Sequence, residues 1–225
     1  PSVRAVVNVT TDKCYENKEW MWGYRENEPM GGFDPYSSSK GCSELVTAAY
    51  RNSFFDTASQ GKHQVALATA RAGNVIGGGD WAKDRIVVDC IEACSKKKSV
   101  EIRNPESTRP WQHVLEPLGG YLLLASKLSA SKEFQGEAYN FGPSLACSYS
   151  VSDLINEMSK YWDNVKWRNI SEKSDVLHEA KLLQLNCDKA RFDLGWQSML
   201  TYKDTVKMTS EWYREFYKGN DINMI

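Results

Sequence analysis

The chain has 225 residues, a net charge of −1, 41% hydrophobic residues and 25% charged residues. Near-neutrality excludes the basic field that recruits nucleic acid or anionic membrane. No apolar run approaches the roughly 20 residues of a membrane span, and the length suits one large domain or two small ones.

Cys14, Cys42, Cys90, Cys94, Cys147 and Cys187 are scattered without a Cys-x-x-Cys pair. They read as reduced, mostly packed thiols of a cytoplasmic protein, and no metal site is expected. The first residues lack the charged segment and apolar core of a secretion signal.

In chain order, Ala5–Val9 is an apolar strand of the buried, parallel kind. Such a strand takes neighbours on both edges, so the chain is expected to be the later part of a larger protein. The strand frays into Thr10-Thr-Asp-Lys-Cys-Tyr15 and delivers Thr11, Asp12 and Lys13 to solvent. A polar, aromatic-rich loop follows to Asp34. Its Trp20 and Trp22 either line a binding mouth or clamp the loop to the domain. A helix is expected from Tyr36 to Phe55, with Leu45, Val46, Ala49 and Tyr50 as its apolar stripe. A second strand over Gln64–Ala72 completes a parallel βαβ unit.

That strand runs into Arg71-Ala-Gly-Asn-Val75 and Gly77-Gly-Gly-Asp80. Ligands of open parallel sheets sit at the carboxyl ends of strands, so this loop is expected to face the same crevice as Thr11. The glycine run lacks the Gly-x-Gly-x-x-Gly spacing of a dinucleotide turn. A helix is expected over Ile86–Lys97, and short strands over Glu101–Arg103 and Arg109–Val114. Helix over Leu118–Leu128 and strand over Ala138–Phe141 follow. Ser150 or Ser152 caps a helix to Trp162, Val165–Ile170 is a strand, and a short helix from Asp188 stops at Gly195. Tyr202–Tyr217 is the last helix. The division expected is residues 1–98 and residues 99–225, with some later segments returning to the first domain.

Tyr36 and Lys40 stand one helical turn apart and share a face. A phenol beside an ammonium gives up its proton more readily, which makes a base for an alcohol that is losing hydride. The pattern alone describes an exposed helix start equally well; its weight comes from following a strand that ends in Thr-Thr-Asp-Lys. Lys13 alone reads as a solvated lysine. It serves as a base only where burial or a neighbouring cation favours its neutral form. His178-Glu-Ala begins like a zinc-binding helix, but Leu182 stands where the second histidine is required.

Taken together, Thr10–Tyr15, Pro35-Tyr-Ser-Ser-Ser-Lys40, Arg71–Val75, Gly79-Asp-Trp81, Arg109-Pro-Trp-Gln-His-Val114, Tyr139-Asn-Phe-Gly142 and Asp188-Lys-Ala-Arg-Phe192 carry a resemblance. The chain resembles the C-terminal two-thirds of an extended short-chain dehydrogenase/reductase of the sugar-nucleotide 4,6-dehydratase kind. Lys13, Arg103-Asn-Pro with Arg109-Pro-Trp-Gln-His113, and His178-Glu-Ala resemble its CDP-glucose branch. The resemblance implies an α/β fold. Residues 1–98 would be the C-terminal part of a Rossmann-type parallel sheet that binds NAD, and residues 99–225 mainly a small α+β substrate-binding lobe.

It also implies roles. Tyr36 takes the C4 hydroxyl proton, Lys40 favours the phenolate and holds the nicotinamide ribose, and Thr11 bonds the C4 oxygen. Asp12 is the acid for the leaving C6 hydroxyl, and Lys13 stands at the position of the base. Asn74 binds the hexose or its phosphate, Arg109 the diphosphate, and Arg85 is a second phosphate or sugar candidate. Arg103 and His113 are weaker candidates that serve structure equally well. The family's Gly-rich phosphate turn is not in this sequence, so this polypeptide alone is expected to bind NAD poorly and to be inactive. A homo-oligomer, dimer or tetramer, is implied through the helix bearing Tyr36, with Ala48, Phe54 and Phe55 as outer residues. A sugar-nucleotide 4-epimerase or reductase of the same superfamily, which lacks the aspartate acid, is the alternative enzyme. A non-catalytic sugar-nucleotide-binding domain is the alternative of another class.

Overall fold

The computed structural model describes residues 2–55, 65–145, 148–162, 165–170 and 182–221. The opening elements are β1 (Ala5–Thr11), α1 (Pro35–Phe54), β2 (Ala66–Ala72), β3 (Val75–Ile76) and α2 (Ile86–Ser95). Next come β4 (Ser99–Ile102), β5 (Thr108–Arg109), β6 (Gln112–His113), α3 (Leu115–Ala130) and β7 (Ala138–Phe141). The last are β8 (Tyr149–Ser150), α4 (Val151–Met158), β9 (Lys166–Asn169) and α5 (Tyr202–Tyr217). They fall into two units, one of Pro1–Gly73, Leu115–Leu145 and Leu183–Met199, the other of Asn74–Val114, Ala146–Leu182 and Leu200–Ile225. The first unit's opening segment thus ends at Gly73 rather than at residue 98, and residues 74–98 belong with the second.

The first unit is built on a parallel sheet of order β1-β2-β7. Its register places Thr11 beside Ala72, and Ala72 beside Phe141, so three carboxyl ends share one edge. β2 is buried from Leu67 to Ala72, as a central strand should be. One face packs on α3 through Ala68, Ala70, Leu124, Leu128 and Phe141. Gly120 permits that approach, because a Cβ there would lie 2.3 Å from the Phe141 ring. A π-helical turn, Ala190–Leu194, closes on Gly195 in the left-handed region at φ 72°.

β1 is parallel, as expected, and among the described residues it pairs with β2 alone, with Val6 and Val9 39% and 48% exposed. One expectation for this unit is corrected. On α1 the expected apolar stripe faces outward: Leu45, Val46 and Tyr50 are 62%, 56% and 54% exposed, and Ala49 is exposed too. The buried positions are instead Ser37, Gly41 and Glu44. The reason lies in β1, which offers α1 a polar face. Asn8 Nδ2 donates to Ser43 Oγ at 3.2 Å and to Thr47 Oγ1 at 2.6 Å, and Thr10 donates to Glu44. In the loop before α1, Trp20 is half-buried against Tyr24, 5.4 Å between rings, and acts as a clamp; Trp22 is 65% exposed.

The second unit gathers Ile76, Val87, Ile91, Val100, Leu154, Ile155 and Val206 into a core. Three short strand pairs surround it: β3·β6 and β4·β9 are parallel, and β5·β8 is antiparallel. Reciprocal capping boxes start α4 (Ser150 with Asp153) and α5 (Thr201 with Asp204). The glycine run serves packing. A Cβ on Gly78 would lie 2.2 Å from the Trp212 ring, and one on Gly77 would lie 2.7 Å from Val114. Asp80 N–H donates to the Tyr213 hydroxyl at 3.0 Å, and that hydroxyl donates to Asp80 O at 2.7 Å.

Cys14, Cys90 and Cys94 are buried free thiols, Cys187 is half-buried, and Cys42 is exposed. Cys147 and the His178-Glu-Ala motif lie outside the described residues. Among the described residues no helix is long and apolar enough to cross a membrane.

Candidate active site

Thr11 closes β1 and caps the 3-10 turn Asp12–Cys14 that follows. Its hydroxyl donates to Asp12 Oδ1 at 2.8 Å and accepts from Lys13 N–H at 3.4 Å. Asp12 is 3% exposed, whereas Thr11 and Lys13 are half-buried. The turn thus folds the carboxylate inward, contrary to the expectation that all three residues face solvent. A basic Lys13 requires burial or a neighbouring cation. The structure gives a half-exposed lysine whose charge helps to lower the Asp34 carboxyl. The Ser37 hydroxyl is the largest cause of that lowering, followed by the Ser37 N–H.

Asp34 is also the cap that starts α1, accepting from Ser37 N–H at 3.0 Å, with Pro35 in the first turn. From there α1 runs back along β1. Asn8 meets Thr47 and Ser43, and Thr10 meets Glu44, so the helix descends as the strand ascends. Lys40 and Tyr36, one and two turns before Glu44, therefore lie toward the end of β1, by the turn bearing Asp12 and Lys13. Gly41 brings the helix there: its Cβ would be 3.1 Å from Gly31 O and 3.6 Å from Cys14 O. Tyr36 is 56% exposed, and Lys40 Nζ sits 5.4 Å from the Tyr36 ring centroid. A phenol and an ammonium stand together, open to a ligand, toward the edge where Thr11 ends β1 and the turn with the buried Asp12 begins.

Beneath them lies a buried polar network that the sequence patterns do not announce. Arg71 Nε donates to Glu44 Oε1 at 2.9 Å and Nη2 to Oε2 at 3.0 Å, with the two side chains 4% and 6% exposed. Arg71 Nη1 also donates to the Tyr15 hydroxyl at 2.8 Å and to Glu26 O at 3.0 Å. The Tyr15 hydroxyl donates to Asn140 Oδ1 on β7 at 2.7 Å. Burial works to raise the Glu44 carboxyl, but the Arg71 hydrogen bonds and charge outweigh it and hold it low. Burial pushes the Tyr15 phenol up despite Arg71, and the Cys14 thiol up to about 12. Two signals were available: a lone arginine in an Ala- and Leu-rich strand needs a buried partner, and Glu44 lies two turns from Tyr36 on one helix face.

The other candidates belong to the second unit. Asn74 and His113 are brought near each other by β3·β6: Gln112 N–H donates to Asn74 O at 3.1 Å, and Ile76 pairs with His113. His113 is 6% exposed, which suits structure more than ligand contact. Arg109, on β5, is half-buried and donates from Nη1 to Thr108 O at 2.8 Å. Arg85 stands apart, exposed at the N-cap of α2, preceded by Asp84 at φ 62°.

A cleft of about 760 Å³ opens in the first unit, lined by Arg25, Leu45, Arg51, Arg71 and Lys189 among others, and by none of Thr11, Asp12, Lys13, Tyr36 or Lys40. Its size does not mark the chemistry, because the groups able to move protons stand elsewhere.

The GDP-mannose 4,6 dehydratase family model matches residues 3–209. The chain is 48% identical over 222 residues to the CDP-glucose 4,6-dehydratase of Salmonella typhimurium, covering 98% of this chain and 61% of that protein. It is similar to the structure of dTDP-glucose 4,6-dehydratase from Bacillus anthracis in complex with NAD (TM-score 0.75, 18% identity, 94% of this chain and 62% of that one). It is also similar to UDP-glucuronic acid 4-epimerase from Bacillus cereus in complex with UDP-glucuronic acid and NAD (TM-score 0.79, 17% identity, 96% and 63%). At those identities the likeness is one of fold, a Rossmann-type α/β architecture. The chain spans about 61% of the length of the curated relative. A family match over nearly the whole chain, with Tyr36, Lys40, Thr11 and Asp12 placed at one sheet edge, leads to one conclusion: the chain belongs to the GDP-mannose 4,6 dehydratase family.

Proposed function

We propose that the full-length protein is an NAD-dependent lyase that converts CDP-D-glucose to CDP-4-dehydro-6-deoxy-D-glucose. The observation that carries the reaction class is the placement of Tyr36 and Lys40 toward the strand end where Thr11 holds the buried Asp12. The 48% identity to a CDP-glucose enzyme supports the choice of nucleotide.

The donor set fits the nicotinamide end of NAD. An exposed phenol with an ammonium one turn away suits ribose hydroxyls, and the C-terminal edge of a parallel sheet is where such ligands sit. Tyr36 and Lys40 would hold that end. The Gly77–Gly79 run is committed to Val114 and Trp212, so it is not the pyrophosphate turn. We assign the adenine and pyrophosphate contacts to residues outside this chain, with the opening segment up to Gly73 contributing the nicotinamide side and residues of the second unit the substrate side. The 225-residue polypeptide alone is then inactive.

When bound, NAD supplies hydride acceptance from C4 and hydride return to C6. Tyr36 takes the C4 hydroxyl proton while Lys40 steadies the developing phenolate. Thr11 bonds the C4 oxygen. The C4 ketone acidifies C5–H. Lys13, with the Asp34 carboxylate in its field, orients the sugar as a cation; the C5 proton leaves to water held there, and a proton returns from that water to C5 once hydride has reached C6. Asp12 protonates the departing C6 hydroxyl, which leaves as water. In the second unit Arg109 is assigned the diphosphate, with Arg85 and Asn74 as further contacts and His113 as their support. The exposed Leu45, Val46, Tyr50 and Phe54 on α1 support a homo-oligomer formed through that helix. The scattered free thiols support a cytoplasmic setting.

Incubating the full-length protein with CDP-glucose and NAD+ tests this. A CDP-4-keto-6-deoxy product is expected. A 4-epimer would instead favour the epimerase or reductase reading, and binding without conversion the non-catalytic one.

A further inference from the structure

We propose that the buried Arg71–Glu44 pair is a positioning device for catalysis, fixing where α1 stands along β1 and hence where Tyr36 and Lys40 stand against Thr11, Asp12 and Lys13. The inference rests on the dehydratase reading above.

Each partner of the pair adjoins a catalytic candidate. Glu44 is one turn from Lys40 and two from Tyr36 on the same helix. Thr10, which donates to Glu44 Oε1, precedes Thr11. Tyr15, which accepts from Arg71, follows the turn that carries Asp12 and Lys13. Arg71 makes four directed N–H contacts of 2.8–3.0 Å, two to Glu44, one to the Tyr15 hydroxyl and one to Glu26 O, and Tyr15 passes the tie to Asn140 on β7. None of these groups is assigned a step in the reaction.

A buried ion pair is a poor way to add stability, since apolar residues of similar volume often serve as well or better. Its distinction is direction: a bidentate guanidinium–carboxylate fork fixes orientation, whereas apolar contact does not. α1 has that apolar option in Leu45 and Val46 and turns it outward. Reacting groups need near-attack geometry, and a misplacement of about 1 Å costs on the order of 100-fold in rate. That is less than the roughly 1.5 Å rise of one helical residue.

The test uses the full-length protein with CDP-glucose and NAD+, and the variants Arg71→Lys, Glu44→Asp and the double. Both single variants keep charge and lose the fork. We expect kcat to fall about 10- to 100-fold, with KM within roughly threefold, at about 15 °C below each variant's own Tm. The double should lose little more than either single, because the pair acts as a unit. Amide exchange over residues 36–44 should quicken in each. A variant with wild-type kcat, a loss carried by KM, or fully additive losses would overturn the inference. Should these variants not fold, Tyr15→Phe removes one hydroxyl without changing shape; a drop in kcat of about threefold or more supports the device, and unchanged kcat sinks it. A wild type inactive on every sugar nucleotide tells against the dehydratase reading instead. Amide exchange then decides the positioning role, and an unaltered α1 overturns it.

Discussion

Glu44→Gln isolates the energetics of the buried pair. The substitution keeps the shape and removes the charge, leaving Arg71 with its side chain 4% exposed and no carboxylate opposite it. The amide oxygen still accepts one N–H, but the amide nitrogen faces a second donor. Removing one partner of a buried ion pair costs about 3–5 kcal/mol, because the remaining charge stays desolvated. For a protein of this size roughly 2–4 °C of Tm goes with each kcal/mol, so a fall of about 6–20 °C is expected. The double substitution Glu44→Leu with Arg71→Met removes both charges. It should recover only part of that loss, because the Thr10 and Thr69 hydroxyls lose their acceptor and Glu26 O loses its Arg71 donor, each at about 1 kcal/mol or more.

The same pair has a pH signature. The Glu44 carboxyl is held below its ordinary value of 4.5, since the Arg71 contacts outweigh the effect of burial. A group lowered in the folded state contributes stability that is full above its unfolded value and is lost as pH falls through its folded value. The Tm gap between wild type and Glu44→Gln should therefore be full at pH 7 and narrow as pH drops below about 4.5. Differential scanning calorimetry across pH 7 to 4 reads both quantities. A gap under about 2 °C at pH 7, or one that widens on acidification, would refute the argument that Arg71 depends on an ionised Glu44.

Other outcomes are expected from the same structure. Tyr36→Phe and Lys40→Met should each lower dehydration of CDP-glucose by about 10²- to 10⁴-fold with modest change in KM, measured by steady-state kinetics; a Tyr36→Phe enzyme at wild-type rate would remove Tyr36 from the proton transfer. Gly195 has a φ of 72°, and a Cβ there would meet no atom within 4 Å. Gly195→Ala should therefore cost the left-handed penalty alone, about 1–2 kcal/mol by urea unfolding. Val46→Glu with Tyr50→Glu places charge on the exposed face of α1. Light scattering should then report a smaller assembly, and an unchanged mass would move the interface elsewhere.

Local patterns carry most of the elements, because turn chemistry and periodicity act over a few residues. Tyr202–Tyr217 and Ala138–Phe141 have the bounds their sequence suggests, set by a Thr201 cap and by the Gly142-Pro143 stop. The parallel pairing of β1 with β2 is also met; what fails are the inferences that require knowing which face or which core a neighbour offers. The rule that apolar faces are buried turns the stripe on α1 inward. Asn8 and Thr10 reverse it by offering the helix hydrogen-bond partners in place of apolar surface. Residues 74–98 read as a continuation of the sheet domain, yet Val75 and Ile76 pair with β6 and Val87 joins the other core, a choice invisible to any short window. The candidate site divides in the same way. Tyr36, Lys40 and the Thr11–Lys13 run are legible because their spacing is the chemistry. The Arg71–Glu44 pair joins residues 27 apart, and its traces are a charge in a strand that has no other use for one and a carboxylate two helical turns from Tyr36. An arginine in so buried a strand is tolerated only where its partner is assured. The residue least explained by its own segment is thus the one that ties the segments together.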